Sequence, residues 1–227
     1  MRILVACEFS GVVREAFSAL GHEAWSCDLL PTEIPGNHYQ GDIRDILYSG
    51  WDLMVAHPPC TRLCNSGVRW LAERNLWQEM REAAEFFKLI MSAPIKKKAI
   101  ENPIPHKYAL EIIGRKYDQI IQPHQFGHGE TKATCLWLEN LDKLQPTNNV
   151  EGREQRIHLM SPGANRSHER SRFFPGIANA MAAQWAGCLT KRAPDAGESA
   201  PLNLLSTLEV GHNLENVSAP NPAQVAY

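Results

Sequence analysis

The sequence predicts an α/β fold with a mostly parallel sheet and helices on both faces. An apolar segment, a helical pattern and a second apolar segment follow one another over residues 2–28, as in a βαβ unit. Residues 51–60 form an apolar run that stops at two prolines, as expected of a strand buried on both faces. Residues 65–93 then repeat apolar side chains at intervals of three and four, which is the spacing of a helix packed on a sheet.

The length and composition indicate one globular domain in a reducing compartment. The chain has 227 residues and a net charge of −2, which suits a single domain with a sizeable core. Its six cysteines are scattered without the spacing of a disulfide framework (Cys7, Cys27, Cys60, Cys64, Cys135, Cys188). The sequence shows neither a signal peptide nor an apolar span long enough to cross a bilayer. We therefore expect a cytoplasmic protein without a membrane partner.

Charge is distributed unevenly along the chain. Residues 1–192 contain all 23 Lys and Arg residues but only 21 of the 25 Asp and Glu residues, so this part carries a charge of +2. Five arginines lie close together near its end (Arg153, Arg156, Arg166, Arg170, Arg172), with His158 and His168 between them. Composition fits a phosphate-contacting segment and a solvated loop equally well.

The first βαβ unit can be predicted in detail. Residues 2–7 form the first strand, residues 8–11 the turn, and residues 12–20 a helix that Gly21 ends. The second strand runs from residue 23 and ends at Asp28. An acid at this position suits a pair of ribose hydroxyls. The turn holds a single glycine and no GxGxxG motif, however, so a role for Asp28 as an ordinary strand-end or capping residue fits equally well.

The remaining elements continue the alternation of strands and helices. We expect a loop at 31–40, helices at 65–93, 104–113 and 176–188, and strands at 97–100, 117–122 and 134–138. Residues 139–172 are polar and too few for a second domain. The composition beyond residue 190 turns to Ala, Pro, Asn and Ser, so we expect a domain at 1–190 and a disordered tail at 191–227.

Cys60 stands where a nucleophile would be useful. It follows Pro58 and Pro59 at the expected carboxyl end of a strand, and open α/β sheets bind ligands at that edge. A free cysteine is usually a small buried apolar residue, but such a residue does not need the rigid direction that two prolines impose. We therefore interpret Cys60 as a candidate nucleophile. Glu101 ends the next predicted strand, and it either lies on the surface or faces the same cleft.

Several short motifs occur in a characteristic order. They are residues 4–11 with 16–23, the acids Asp28 and Asp42, Pro58-Pro59-Cys60, Glu101-Asn102-Pro103, and residues 175–182. In this order they resemble the motifs of the DNA cytosine carbon-5 methyltransferase family, in a short form found in bacteriophages. The resemblance spans about residues 3–188.

The resemblance implies a fold, a reaction and a cofactor. It implies a Rossmann-like fold of the S-adenosylmethionine-dependent methyltransferase type that methylates carbon-5 of cytosine in DNA. Cys60 would attack carbon-6 of the base, Glu101 would donate a proton to ring nitrogen-3, and Lys132 would lie near the pyrimidine oxygen or a phosphate. Seven residues would bind S-adenosylmethionine (Glu8, Phe9, Ser10, Gly11, Asp28, Asp42, Pro59).

The sequence departs from the family pattern in two places. Glu130, Lys132 and Thr134 stand where the family has a glutamine and two arginines that grip the base and its backbone. Residues 139–172 also replace the large target-recognition domain. One cationic contact is therefore retained, and we expect weak sequence specificity or a partner that supplies it.

Three other interpretations fit parts of the sequence. The same scaffold could modify a free pyrimidine nucleotide or another base, or it could serve as a catalytically silent protein that binds DNA or cofactor. His57, Cys60 and Cys64 could also hold zinc, as in a deaminase. The Cys-x3-Cys spacing differs from the Cys-x2-Cys of that chemistry, and no His-x-Glu precedes it, so we rank the zinc site last.

Overall fold

The computed structural model describes residues 1–161, 163, 169–170 and 172–187. These residues belong to one compact unit, Met1–Thr190. The predicted tail at 191–227 lies outside the described residues, as do Cys188 and, within the arginine cluster, Arg166 and His168.

The described residues form one seven-stranded sheet. Its strands are β1 (Arg2–Ala6), β2 (Glu23–Asp28), β3 (His38–Gln40), β4 (Leu53–Ala56), β5 (Lys97–Pro103), β6 (Gln119–Ile121) and β7 (Thr134–Glu139). Their order is β3-β2-β1-β4-β5-β7-β6. The first five strands pair in parallel, whereas β7 is antiparallel to both β5 and β6. The sheet is thus mostly parallel, as predicted.

Helices cover both faces of this sheet. They are α1 (Val12–Ser18), α2 (Arg69–Glu73), α3 (Trp77–Met91), α4 (Lys107–Ile113), α5 (Arg156–Leu159) and α6 (Pro175–Trp185). Alternate residues of β1 enter two separate cores: Ile3 and Val5 pack with α1 and α6, while Leu4 and Ala6 pack with α3 and α4. This confirms the predicted Rossmann-like α/β fold, with helices on both faces of a mostly parallel sheet. None of the helices in the described residues is both long and apolar enough to span a membrane.

The register of the parallel strands brings their carboxyl ends together. Ala6 of β1 pairs with Cys27 of β2 and with Ala56 of β4, and Ala56 pairs with Ile100 of β5. The residues that follow these positions therefore lie along one edge of the sheet. On one side of β1 the sheet continues with β2 and β3, and on the other side with β4 and β5. The direction in which strands are added therefore reverses between β1 and β4. Ligands bind at such a reversal in open α/β sheets.

Two elements differ from the prediction. The strand expected to reach Cys60 ends at Ala56, and the last ladder bond joins the His57 N–H to the Ala6 carbonyl at 2.9 Å. The prolines that follow have no N–H to continue the ladder. The expected loop at 31–40 contains β3, because pairing with β2 orders three residues that show no apolar pattern of their own.

Gly176 allows α6 to approach the loop before β7. Its N–H donates to His128 Nε2 at 2.9 Å, and a β-carbon at this position would overlap the Phe126 carbonyl oxygen. We expect Gly176→Ala to destabilise the protein by about 1–3 kcal/mol because α6 must shift. Gly163, where a β-carbon would meet no atom of the described residues within 4 Å, provides the control variant Gly163→Ala. Thermal denaturation measures the effect, and equal melting temperatures for the two variants would contradict it.

Candidate functional site

The segment after β4 forms a single tight turn that carries two thiols. The N–H groups of Leu63 and Cys64 both donate to the Cys60 carbonyl, at 2.9 and 3.1 Å. Residues four apart in such a turn lie on the same side, and the two thiols hydrogen-bond to each other. Cys60 is half-buried and Cys64 is buried. The predicted nucleophile therefore has a second sulfur as its direct partner.

The thiol pair favours an anion on Cys64. The hydrogen bond from Cys60 lowers the pKa of Cys64 most strongly, and the Ser66 hydroxyl at 3.1 Å and the Gly67 N–H add to it, so that the pKa falls to about 5 in spite of burial. The same hydrogen bond, together with burial, raises the pKa of Cys60. The first proton lost from the pair thus leaves Cys64, and Cys60 keeps its own.

This arrangement predicts a thiolate at neutral pH that belongs to Cys64. Ultraviolet thiolate absorbance of the native protein should rise with a midpoint near pH 5. Cys64→Ser should abolish this step, whereas Cys60→Ser should retain it because the serine hydroxyl still donates to Cys64. Burial raises the pKa of three other cysteines (Cys7, Cys27, Cys135), so they stay protonated there. Persistence of the step in Cys64→Ser would contradict the assignment.

Glu101 lies in β5 and is only 9% exposed. Its Oε2 accepts a hydrogen bond from His57 Nδ1 at 3.1 Å. Burial by itself would raise the pKa of Glu101, but the hydrogen bond and charge of His57, together with the charge of Lys132, outweigh burial and lower it. The neighbouring Asn102 donates to the Pro58 carbonyl at 3.0 Å and so ties β5 to the diproline segment. The site therefore holds an ionised carboxylate beside the thiol turn.

Lys132 places a positive charge close to both predicted catalytic groups. Its N–H donates to Gln122 Oε1 and its Nζ to the Arg170 carbonyl, each at 3.0 Å. Its charge lowers the pKa of Glu101 and also acts to lower that of Cys60. The structure thus brings together Cys60, Glu101 and Lys132, the three residues predicted to be catalytic.

The two other residues of the altered family segment have structural partners. Glu130 forms an ion pair with Arg156 at 2.9 Å. Thr134 is buried at the start of β7, and its hydroxyl donates to the Lys132 carbonyl at 3.0 Å. Of these three positions, Lys132 alone contributes charge near Cys60.

The turn after β1 is organised by a buried carboxylate. Glu8 accepts hydrogen bonds from the N–H groups of Val13 and Arg14 at 2.7 and 3.2 Å, and from the Ser10 hydroxyl at 3.1 Å. It therefore satisfies the amino end of α1. Gly11 has a φ of +73°, in the region that favours glycine. Glu8, Ser10 and Gly11 thus shape the turn itself.

A cavity of about 250 Å³ opens beside this turn at the carboxyl edge of the sheet. It is lined by Cys7, Cys27, Asp28, Leu29, Gly41, Asp42, Ile43, Arg44, Pro59 and Phe86. The carboxylate of Asp28 accepts from the Leu30 N–H at 2.9 Å, and that of Asp42 pairs with the Arg44 guanidinium at 2.8 Å. Three predicted cofactor residues therefore line the cavity. The other four (Glu8, Phe9, Ser10, Gly11) are not among the described residues that line it.

Arg14 fixes the loop that follows Asp28. The residue is fully buried, and its guanidinium donates to the hydroxyls of Ser26 and Thr32 at 3.0 and 3.2 Å and to the Ile34 carbonyl at 2.6 Å. It also pairs with the half-exposed Glu15 at 2.9 Å. One side chain of α1 thereby anchors the loop that begins at the wall of the cavity.

The described arginines of the 153–172 cluster are largely engaged within the chain. Arg153 donates to the carbonyls of Val150 and Gly152, Arg156 pairs with Glu130, and Arg172 pairs with Glu33 at 2.9 Å. These contacts leave less charge for phosphates than composition suggests. In the part of the chain that the structure describes, no three His, Cys, Asp or Glu side chains are grouped as a metal site requires.

Several residues of the site were not predicted in the positions that they occupy, among them His57, Cys7 and Phe86. The sequence suggested His57 only as a ligand of the zinc site that ranked last, and its place directly after an apolar strand did not indicate Glu101 as its partner. Cys7 and Phe86 line the cavity. Cys7 follows β1 directly with a positive φ of 58°, and Phe86 lies on α3, whose apolar stripe suggested only core packing.

Comparison with known proteins gives remote structural likeness alone. No protein-family model and no curated protein matches the sequence. A protein encoded within an E. coli prophage and described as a DNA modification methyltransferase is 12% identical with a TM-score of 0.45, over 66% of this chain and 52% of its own. The Entamoeba histolytica methyltransferase EhMeth is 13% identical with a TM-score of 0.44, over 74% and 62%.

A third solved structure, the S. pombe Dnmt2 methyltransferase, is 14% identical with a TM-score of 0.42, over 73% of this chain and 56% of its own. The present chain thus spans from about half to three-fifths of the length of the three structures. Identities this low assign no activity to it.

Proposed function

We propose that the chain is an S-adenosylmethionine-dependent methyltransferase that methylates carbon-5 of cytosine in DNA through a covalent adduct of Cys60 at carbon-6. One observation carries this proposal. A thiol, a buried carboxylate and an ammonium group act on one another at the same sheet edge, and a cavity with two acidic walls opens beside them. Packing or folding alone does not require a thiol, a carboxylate and an ammonium group at one place. Thiolate addition to a pyrimidine requires a nucleophile, an acid, a positive charge and a site for the methyl donor.

The lining of the cavity fits S-adenosylmethionine. The carboxylates of Asp28 and Asp42 can accept hydrogen bonds from ribose hydroxyls and an adenine amino group, and Phe86, Ile43 and Pro59 offer apolar contact to a purine. When bound, the cofactor supplies an electrophilic methyl group. Pro59 both lines this cavity and precedes Cys60, so the donor and the nucleophile are held by one short segment.

The thiol turn supplies the nucleophile. Cys60 passes its proton across the shared hydrogen bond to Cys64, and the resulting Cys60 thiolate forms a bond to carbon-6 of the base. Carbon-5 would then have the electron density of an enamine and could accept the methyl group, whose bond to the sulfonium sulfur would break and leave a neutral thioether. Loss of the carbon-5 proton to solvent and cleavage of the bond between Sγ and carbon-6 return the thiolate. The charge of Lys132 stabilises the anion while it is on Cys60.

Glu101 supplies the acid of the reaction. Negative charge develops at ring nitrogen-3 when the thiolate adds to carbon-6, and a carboxylic acid that donates a proton there removes it. Because carbon-6 is stacked within a duplex, the base must be flipped out or supplied unpaired. Residues 139–172, which take the place of a recognition domain, offer little for reading a sequence, so we propose weak specificity or a separate partner for recognition.

Transfer of label from methyl-labelled S-adenosylmethionine tests this function. Duplex DNA, single-stranded DNA and deoxycytidine monophosphate are offered as acceptors, with Cys60→Ala as the control protein. We expect the native protein to label cytosine in duplex or single-stranded DNA, and we expect no label with Cys60→Ala. Labelling of the mononucleotide alone would instead identify a nucleotide-modifying enzyme. Cofactor binding without incorporation anywhere would identify a silent binding protein.

A further inference from the structure

His57 is held rigidly at the carboxyl end of β4. Its backbone N–H donates to the Ala6 carbonyl at 2.9 Å, so the residue extends the ladder between β4 and β1 by one bond. Its imidazole packs against the Phe173 ring with centroids 4.8 Å apart. The side chain is 13% exposed. In this position the imidazole directs Nδ1 at Glu101.

The pair of His57 and Glu101 is buried and close. Nδ1 and Oε2 are 3.1 Å apart, and the Glu101 side chain is 11% exposed. His57 Nε2 is also buried and has no hydrogen-bond partner among the described residues. A buried polar atom without a partner is rare in folded proteins and often marks a functional group. Packing alone would be served better by an apolar residue here.

The carboxylate alone cannot serve as the acid that the proposed reaction requires. His57 and Lys132 lower the pKa of Glu101 against the effect of burial, so it is ionised at neutral pH. An ionised carboxylate has no proton to donate to ring nitrogen-3. The proton must reach Glu101 from a neighbour, and the hydrogen-bonded imidazole is a titratable group in direct contact with it.

We propose that His57 is the positioning residue that delivers this proton, an inference that rests on the proposed function. Doubly protonated His57 transfers its Nδ1 proton to Glu101 Oε2, which makes Glu101 a neutral carboxylic acid and His57 a neutral imidazole. Glu101 then donates the proton to ring nitrogen-3 as the bond between Cys60 Sγ and carbon-6 forms. On elimination the proton returns by the same route, so the pair consumes none in a full cycle.

Three other titratable groups among the described residues interact with Glu101. Lys132 and Cys60 act on Glu101 from the loop before β7 and from the thiol turn. The thiol of Cys135, on β7, is also close enough to interact with Glu101, and burial keeps it neutral. The ring contacts of the imidazole among the described residues are with the uncharged Phe173 and with the Glu101 carboxylate.

The pH dependence of methyl transfer separates this role from simple packing. His57→Asn places an amide N–H near the position of Nδ1, so it keeps the hydrogen bond to Glu101 but cannot titrate. We expect the native turnover number to fall as pH rises, because the pair of His57 and Glu101 then loses the proton that it transfers. In His57→Asn this limb should disappear, and turnover at the native optimum should fall by about 10²-fold. Phe173→Leu, which loosens the packing alone, should retain the native profile.

A second measurement does not depend on turnover. In the proton magnetic resonance spectrum of the native protein, the Nδ1–H of His57 should give a downfield signal, because it is buried and hydrogen-bonded to the Glu101 carboxylate at 3.1 Å. Glu101→Gln should move this signal upfield, because a neutral amide oxygen is a weaker acceptor than a carboxylate. An unshifted signal in Glu101→Gln, or a His57→Asn profile with the native shape, would overturn the inference. If the native protein transfers no methyl group to any acceptor, the proposed function fails, and the Nδ1–H signal still decides whether the two residues share a proton.

Discussion

Cys60→Ala is expected to abolish methyl transfer while leaving cofactor affinity unchanged. Without the sulfur no bond forms to carbon-6, carbon-5 stays a poor nucleophile, and turnover should drop by about three orders of magnitude or more. Cofactor binding should persist because the cavity wall includes Pro59 but not Cys60 among its described residues. Label transfer measures the first effect and isothermal titration calorimetry with S-adenosylmethionine the second.

Thr61→Ala is the matched control for this variant. Thr61 neighbours Cys60 in the same turn, and its side chain is exposed. Thr61→Ala should retain native turnover, which would show that the turn tolerates a small change in a side chain. Native turnover in Cys60→Ala would exclude the covalent route. Loss of cofactor binding in the same variant would mean that the thiol turn and the cavity are not independent.

Arg14→Met is expected to cause the largest loss of stability. Methionine is unbranched like arginine and is also a good helix former. The substitution therefore mainly removes the hydrogen-bond donors to Ser26, Thr32 and Ile34, at a position that is fully buried. Acceptors left unsatisfied there should lower the free energy of unfolding by about 3 kcal/mol. Arg14→Lys should lose less, because the ammonium keeps the charge but cannot reproduce the planar fork of donors.

Chemical denaturation measures this effect, and a surface arginine provides the reference. Arg81 is exposed, and among the described residues its side chain donates only to Gln78 within α3, so Arg81→Met should change stability by about 0.5 kcal/mol or less. Arg14→Met should also weaken cofactor binding, since the loop it anchors begins beside Asp28. If Arg14→Met and Arg81→Met have the same free energy of unfolding, the buried guanidinium of Arg14 contributes little net stability.

The sequence was sufficient to predict the parts of the fold with strong local patterns. The strands β1, β2 and β5, and the helix α3, coincide with apolar runs or stripes that need no partner to be recognised. Parallel strands share one carboxyl edge, so the pattern predicted Cys60 and Glu101 at the same edge but left open whether Glu101 faces the cleft or the surface. By contrast, β3 has three residues without an apolar pattern, and pairing with β2 is what orders it.

Other features of the site depend on register and orientation, which a linear pattern does not contain. The bond between His57 and Glu101 exists because Ala56 pairs with Ile100, so that the next residues of two strands stand side by side. Glu8 was predicted to contact cofactor, and no pattern in the sequence indicated that its carboxylate also accepts from the first N–H groups of α1. Whether an acid at the end of a strand points into a crevice or back to its own helix is decided by the turn geometry.

The packing of α6 against α1 has a consequence for folding during synthesis. Val13 and Phe17 of α1 share a core with Ile177 and Met181 of α6, although about 160 residues separate the two helices in the chain. While the first half of the protein emerges from the ribosome, the apolar face of α1 lacks this cover. A nascent chain arrested before residue 175 should therefore bind a chaperone or a hydrophobic dye, and release of α6 should end that binding.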